Sequence, residues 1–117
     1  MDPAGAKHIL VVDDDPLILE LLERALGAAN FRVSKARRVS VARDLMCRHE
    51  FDLVITDARI PGETGLELAV SARQRGIAVI LMTGDAEWAD EHGMLPDQYL
   101  AKPFDLAELL ARLRALL

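Results

Sequence analysis

Five short apolar runs alternate with longer segments in which apolar residues recur every three or four positions, and four of the runs lead directly into a chemically useful residue. His8 to Val12 is apolar on both faces, as a buried parallel strand requires, and runs into Asp13-Asp14-Asp15. Leu53 to Thr56 delivers Asp57 into the loop Ala58-Arg59-Ile60-Pro61-Gly62. Ala78 to Met82 ends at the hydroxyl of Thr83, and Tyr99-Leu100-Ala101 stops at the amine of Lys102. The remaining run, Phe31-Arg32-Val33, is short and alternating, which suits a strand nearer a sheet edge.

The intervening segments carry helix signals. Asp15 is a good N-cap and Pro16 tolerates the first helical position; Ile18, Leu21, Leu22, Ala25 and Ala29 give a core-facing stripe that Asn30 ends. A second helix, Val39 to Arg48, offers Val41, Ala42, Leu45 and Met46 on one side. Thr64 caps a third, with Leu66, Ala69, Val70 and Arg73 at helical spacing and Gly76 as terminator. Asp85 to Gly93 is a short helix whose only apolar residues are Ala86, Trp88 and Ala89, cut off by Gly93 and Pro96. Asp105 and Glu108 stand in a capping-box relation ahead of a last helix striped by Leu106, Leu109, Leu110, Leu113 and Leu117. Strict strand–helix alternation predicts an α/β fold, a parallel sheet with right-handed crossovers and helices on both faces. In such sheets ligands bind outside the carboxyl ends of the strands, where these acids, hydroxyl and amine converge.

Composition narrows the class. A chain of 117 residues is one domain, and 51% apolar with 28% charged is ordinary for a globular protein. A net charge of −5 and the lack of a basic stripe argue against nucleic-acid binding; Lys35 to Arg38 with Arg43 reads as a solvated helix approach. The single cysteine, Cys47, forms no internal disulfide and reads as a small buried hydrophobe. No apolar run is long enough to span a membrane, residues 1–6 read as a flexible lead without a signal-peptide pattern, and a cytoplasmic protein is expected.

Asp13, Asp14 and Asp57 at one sheet edge repel one another unless they bind protons or a cation, and oxygen ligands with room for water and phosphate favour Mg2+. Asp15, backed by Pro16, is more simply a helix cap. A hydroxyl and an ammonium beside metal-bound carboxylates, as Thr83 and Lys102 would be, suit the oxygens of a transferred phosphoryl group. A carboxylate can itself be the nucleophile and form an aspartyl phosphate.

Four separated motifs, Val11-Val12-Asp13-Asp14-Asp15-Pro16, Val54 to Gly62, Leu81-Met82-Thr83-Gly84 and Lys102-Pro103-Phe104, make the chain resemble the receiver domains of two-component response regulators. The resemblance spans residues 7–117 and implies a flavodoxin-like, doubly wound, five-stranded sheet of order 2-1-3-4-5 with five helices, the fourth short. It implies that Asp57 accepts a phosphoryl group from a sensor histidine kinase or a histidine phosphotransfer protein. Asp13 and Asp14 would hold Mg2+ together with Asp57 and the backbone carbonyl of Arg59. Thr83 and Lys102 would contact phosphoryl oxygens, and Tyr99 matches an aromatic switch position, with simple packing as its alternative. Lys102-Pro103 matches a bond that is cis in the family. Such a domain is a switch that assists its own phosphorylation and slow dephosphorylation, rather than an enzyme, and it passes the signal to a downstream protein.

The segment between Thr83 and Lys102 is shorter and less apolar than the family usually shows, which puts conventional dimerisation through that face in doubt. Trp88 within it is either partly buried or an exposed partner anchor. Arg59 and Asp85 flank the site at positions resembling those that tune acyl-phosphate lifetime, either approaching each other across it or standing as two exposed charges. No output domain is expected within this chain, which reads as a stand-alone receiver or as a piece of a longer regulator. Two rival readings remain: an aspartate-nucleophile phosphatase of the haloacid-dehalogenase type, with Asp13 attacking and Asp15 as general acid, and a receiver-like binding module that never takes phosphate.

Overall fold

The computed structural model describes residues 6–91, 93 and 99–117. The elements run β1 (His8–Val12), α1 (Pro16–Ala28), β2 (Arg32–Ala36), α2 (Val39–Arg48), β3 (Leu53–Asp57), β4 (Arg59–Ile60), β5 (Glu63–Thr64), α3 (Gly65–Gln74), β6 (Ala78–Thr83), α4 (Ala86–Glu91), β7 (Tyr99–Ala101) and α5 (Leu106–Leu116). The main sheet is parallel, with order β2-β1-β3-β6-β7. Setting aside the two-residue β4 and β5, this is the expected 2-1-3-4-5 order, a flavodoxin-like fold. Of the expected lead, residues 1–5 lie outside the described residues, as does Pro96.

Alternation along each strand splits the core into two. Leu10, Val12, Val54, Val79 and Leu81 pack with Ala42, Met46, Leu68, Ala69 and Ala72, which come from α2 and α3. Ile9, Val11, Leu53, Ile55, Ile80, Met82 and Leu100 turn the other way, onto Leu19, Leu22, Leu26, Leu109 and Leu113 of α1 and α5. Successive strand side chains point to opposite faces, so a strand apolar throughout needs helices on both sides.

Caps set the helix boundaries largely as expected. The Asp15 carboxylate accepts from Leu17 N at 2.9 Å, Thr64 Oγ1 from Leu66 N at 3.2 Å and Asp105 Oδ1 from Ala107 N at 2.8 Å. Asn30 (φ 70°) and Gly76 (φ 77°) take the left-handed conformation just beyond α1 and α3. The capping box is only half made: Glu108 pairs with Arg112 at 3.0 Å, one turn on.

Several expectations are corrected. The buried stripe of α1 is Leu19, Leu22 and Leu26, while Leu21 is exposed. Val39 is buried on α2 in place of Val41, and Leu68 and Ala72 are buried on α3 in place of Val70 and Arg73. Leu117 is exposed at the end of α5. Cys47 is exposed rather than buried, because it follows Met46, whose side chain already faces the core. Strand β2 runs on to Ala36, since Ser34, Lys35 and Ala36 pair with Leu10, Val11 and Val12. The loop after Asp57 holds a small antiparallel hairpin, Arg59 opposite Thr64 and Ile60 opposite Glu63, turned by Pro61 and by Gly62 at φ 74°.

Candidate functional site

The carboxyl ends of β1, β3, β6 and β7 bring Asp13, Asp57, Thr83 and Lys102 to one edge. A cleft of about 370 Å3 there is lined by Asp57, Ala58, Arg59, Thr83, Gly84, Asp85 and Lys102. One carboxylate oxygen each from Asp13, Asp14 and Asp57 lie within 4.8 Å of one another. Three acids this close need a counter-charge, and the structure supplies part of one. Lys102 Nζ donates to Asp57 Oδ2 at 2.9 Å and to Asp13 Oδ2 at 3.0 Å.

The backbone fixes these groups. The Lys102 amide donates to Thr83 O at 2.7 Å and the Ala58 amide to Met82 O at 2.9 Å, stitching the three strand ends together. The Lys102-Pro103 bond is cis, matching the expectation for that position. Asp13 Oδ1 accepts from Asp15 N at 2.9 Å, and Asp57 Oδ1 accepts from Arg59 N at 3.1 Å, so each acid is held by the loop that follows it.

Gly65 is a functional position that the sequence reading passed over. A Cβ there would lie 1.9 Å from the carbonyl oxygen of Asp57, a distance no side chain tolerates. Only glycine lets α3 start directly against the acceptor loop. The signal was present as a glycine following the Thr64 cap.

Electrostatics follow from burial. Asp13 is 1% exposed, and burial pushes its carboxyl above the usual range, against the opposing pull of the Asp15 amide and Lys102. Burial alone would lower Lys102, but its bonds to Asp57 and Asp13 outweigh that and hold the ammonium more firmly charged than usual. The donor set is all hard oxygen, still net negative with Lys102 present, and so fits a small divalent cation.

Thr83, 4% exposed, turns its hydroxyl to the backbone of Asp85, accepting from Asp85 N at 3.0 Å and donating to Asp85 O at 3.3 Å. Arg59 and Asp85 approach each other over the cleft, Nη2 to Oδ2, at 3.8 Å. Tyr99 is half-buried on β7, packs against the α2–α3 side of the core and does not line the cleft; its carbonyl accepts from Arg112 Nη1. Trp88 is half-buried against the same side, and its amide donates to Asp85 Oδ1 at 3.0 Å, which favours burial over a free anchor.

Residues 9–114 match the family model described as the response regulator receiver domain. The chain belongs to that family. This receiver domain is 40% identical to the transcriptional regulatory protein GltR of Pseudomonas aeruginosa over 121 aligned positions, covering 97% of the chain and 50% of the relative. It spans about half the length of the curated relatives it matches. Among solved structures, the response regulator TrrA from Thermotoga maritima, in complex with Mg2+–BeF, is 33% identical, with TM-score 0.83 over 95% of this chain and 99% of that one. A response regulator receiver protein from Sinorhizobium medicae is 27% identical, with TM-score 0.86 over 97% and 96%. Receiver domains are signalling switches. Among the described residues of this one, no helix is long and apolar enough to cross a membrane.

Proposed function

We propose that the chain is a phosphorylatable switch in which Asp57 accepts a phosphoryl group from a phosphohistidine on a sensor histidine kinase or a histidine phosphotransfer protein. The observation that carries this reading is the Lys102 ammonium bridging Asp57 and Asp13 at a cleft that Thr83 also lines. An Asp57 oxygen bonds to phosphorus as the bond from phosphorus to the imidazole nitrogen breaks. Asp13, Asp14, Asp57 and the backbone carbonyl of Arg59 would hold Mg2+, which supplies neutralising charge for the crowded oxygens when bound.

Lys102 then pairs with a phosphoryl oxygen in place of a carboxylate. The Thr83 hydroxyl leaves Asp85 for another, and Tyr99 follows the space that Thr83 vacates. Arg59 and Asp85 restrict water at the mouth of the cleft, so Ala variants at either position, and at both, shorten the lifetime of the aspartyl phosphate; unchanged lifetimes in all three sink that part. The working compartment is the cytoplasm and the output is a protein contact. Cognate kinase and target are set by surfaces outside the cleft.

The test is incubation with Mg2+ and acetyl phosphate, followed by mapping of the modified residue by mass spectrometry. Label on Asp57, absent from Asp57→Asn, supports the switch. Label on Asp13 supports the phosphatase reading, against which the Asp13 side chain is 1% exposed where that of Asp57 is 15% exposed. No label leaves a receiver-like binding module.

A further inference from the structure

A second polar assembly, outside the cleft, joins the loops that carry the acids. The N-cap of α2 is Arg38, in extended conformation with no side-chain cap bond, since a guanidinium has no acceptor to give. The amide this leaves open belongs to Ser40, and it donates to Glu63 Oε2 at 3.2 Å. The other oxygen of Glu63 accepts from Arg38 Nε at 2.7 Å. Glu63 therefore caps, from another loop, a helix whose own cap position cannot do so. Its side chain is 18% exposed, against 60% for Arg38.

Both ends of this contact lead back to the site. Glu63 pairs with Ile60 in the β4–β5 hairpin, and the neighbouring pair is Arg59 with Thr64. On the other side, the residues just before Arg38 grip the first acidic loop. Asp13 N donates to Ala36 O at 3.1 Å, and Arg37 Nη2 reaches Asp14 O at 3.4 Å. Residues 36–40 thus form a strut with the Asp13–Asp14 loop tied to one flank and the hairpin after Asp57 tied to the other. Glu63 itself does not line the cleft.

We infer that Glu63 is a positioning residue for the cation site: by fastening the hairpin to α2 it sets where the Arg59 backbone stands relative to Asp13 and Asp14. The inference rests on the proposed reading of those groups as the Mg2+ holders. An exposed ion pair contributes little to stability by itself, but groups that hold a metal's ligands in place weaken binding by about ten- to a hundredfold when lost. Glu63, whose side chain bonds Arg38 and Ser40 rather than a ligand, belongs at the low end of that range.

The experiment separates position from capping. Mg2+ is titrated calorimetrically into the wild-type chain, Glu63→Ala, Asp13→Asn and the double variant Arg38→Ser/Glu63→Ala, with thermal melts of each. The double variant gives α2 a local, uncharged hydroxyl cap without restoring the tie to the hairpin or adding a carboxylate near Asp14. Expected is about tenfold weaker Mg2+ binding in Glu63→Ala, with the double variant regaining the melting temperature but not the affinity. Wild-type affinity in Glu63→Ala, or affinity and melting temperature regained together in the double variant, would make Glu63 a cap only and overturn the inference. Absence from the wild type of any saturable Mg2+ binding that Asp13→Asn removes would overturn the cation-site reading and this inference together.

Discussion

The two ends of β1 treat buried ionisable groups in opposite ways. His8 at its start is 8% exposed, and Asp13, just past its end, is 1% exposed. Burial pushes each toward its neutral form: His8 below 6.5, helped by Arg32 and His49 and opposed by the Glu50 backbone and Asp52, and Asp13 above 3.8. At His8 that neutral form is well accommodated. Its Nε2 lies 2.8 Å from Ser34 Oγ, its ring centroid is 4.4 Å from that of Phe51, and its amide donates to Asp52 Oδ2 at 2.8 Å. At Asp13 the neighbours are Asp14, Asp57 and the ammonium of Lys102, so charge is crowded together and only partly balanced. A buried polar group alone therefore marks packing. Several that cannot all be satisfied at once mark a site.

The contrast can be broken first at Gly65. Gly65→Ala drives a Cβ into the Asp57 carbonyl, and overpacking against backbone costs about 2–3 kcal/mol; urea unfolding should show this together with slower labelling of Asp57. Lys102→Ala removes the cation between two carboxylates. Stability should fall by roughly 2 kcal/mol, below the range for a fully buried pair because the Lys102 side chain is 27% exposed. Added Mg2+ should recover part of that loss, which a melt in both conditions checks.

Asp13→Asn should act with the opposite sign. A carboxyl whose folded pKa lies above its unfolded value costs stability wherever it is ionised, so at pH 7 this variant should be more stable than the wild type while losing Mg2+ affinity. A destabilised Asp13→Asn would remove the crowding argument.

The smallest effect belongs to the other end. The folded pKa of His8 lies below 6.5, so between that folded value and 6.5 the unfolded chain binds a proton that the folded chain does not. Stability should decline as pH falls through that window and lose nothing further from His8 below it, with a slope of at most about 1.4 kcal/mol per pH unit. His8→Leu should flatten that part of the profile measured from pH 7.5 to 5.5. An unaltered profile would mean that His8 is not the group responsible.

Strand ends were the most legible feature of the sequence, because an apolar run with no polar alternation must be buried on both faces and must stop where a charge begins. Asp13, Asp57 and Lys102 could be placed from that rule, and Thr83 from the hydroxyl that ends its own run; the parallel sheet that strand–helix alternation predicts brings all four together. Helix phase was less legible. Leu17, Ile18, Leu19, Leu21 and Leu22 make the start of α1 apolar nearly all round, so no single stripe stands out, and the sheet selects Leu19 and Leu22 while Leu17 stays 73% exposed. Glu63 and Gly65 escaped notice because their roles depend on backbone that arrives from elsewhere in the chain: the start of α2 for one, the Asp57 carbonyl for the other.

The most direct test of the contrast between the two ends is amide chemical-shift mapping with Mg2+ and beryllofluoride, a small mimic of a phosphoryl group on a carboxylate. Saturable shifts on adding beryllofluoride to protein already saturated with Mg2+ should concentrate at Asp13, Asp14, Ala58, Arg59, Thr83 and Lys102, leave His8, Phe51 and Asp52 in place, and vanish in Asp57→Asn. Shifts that persist in Asp57→Asn, or that centre on the His8 end of the sheet, would contradict the assignment of Asp57 as the acceptor.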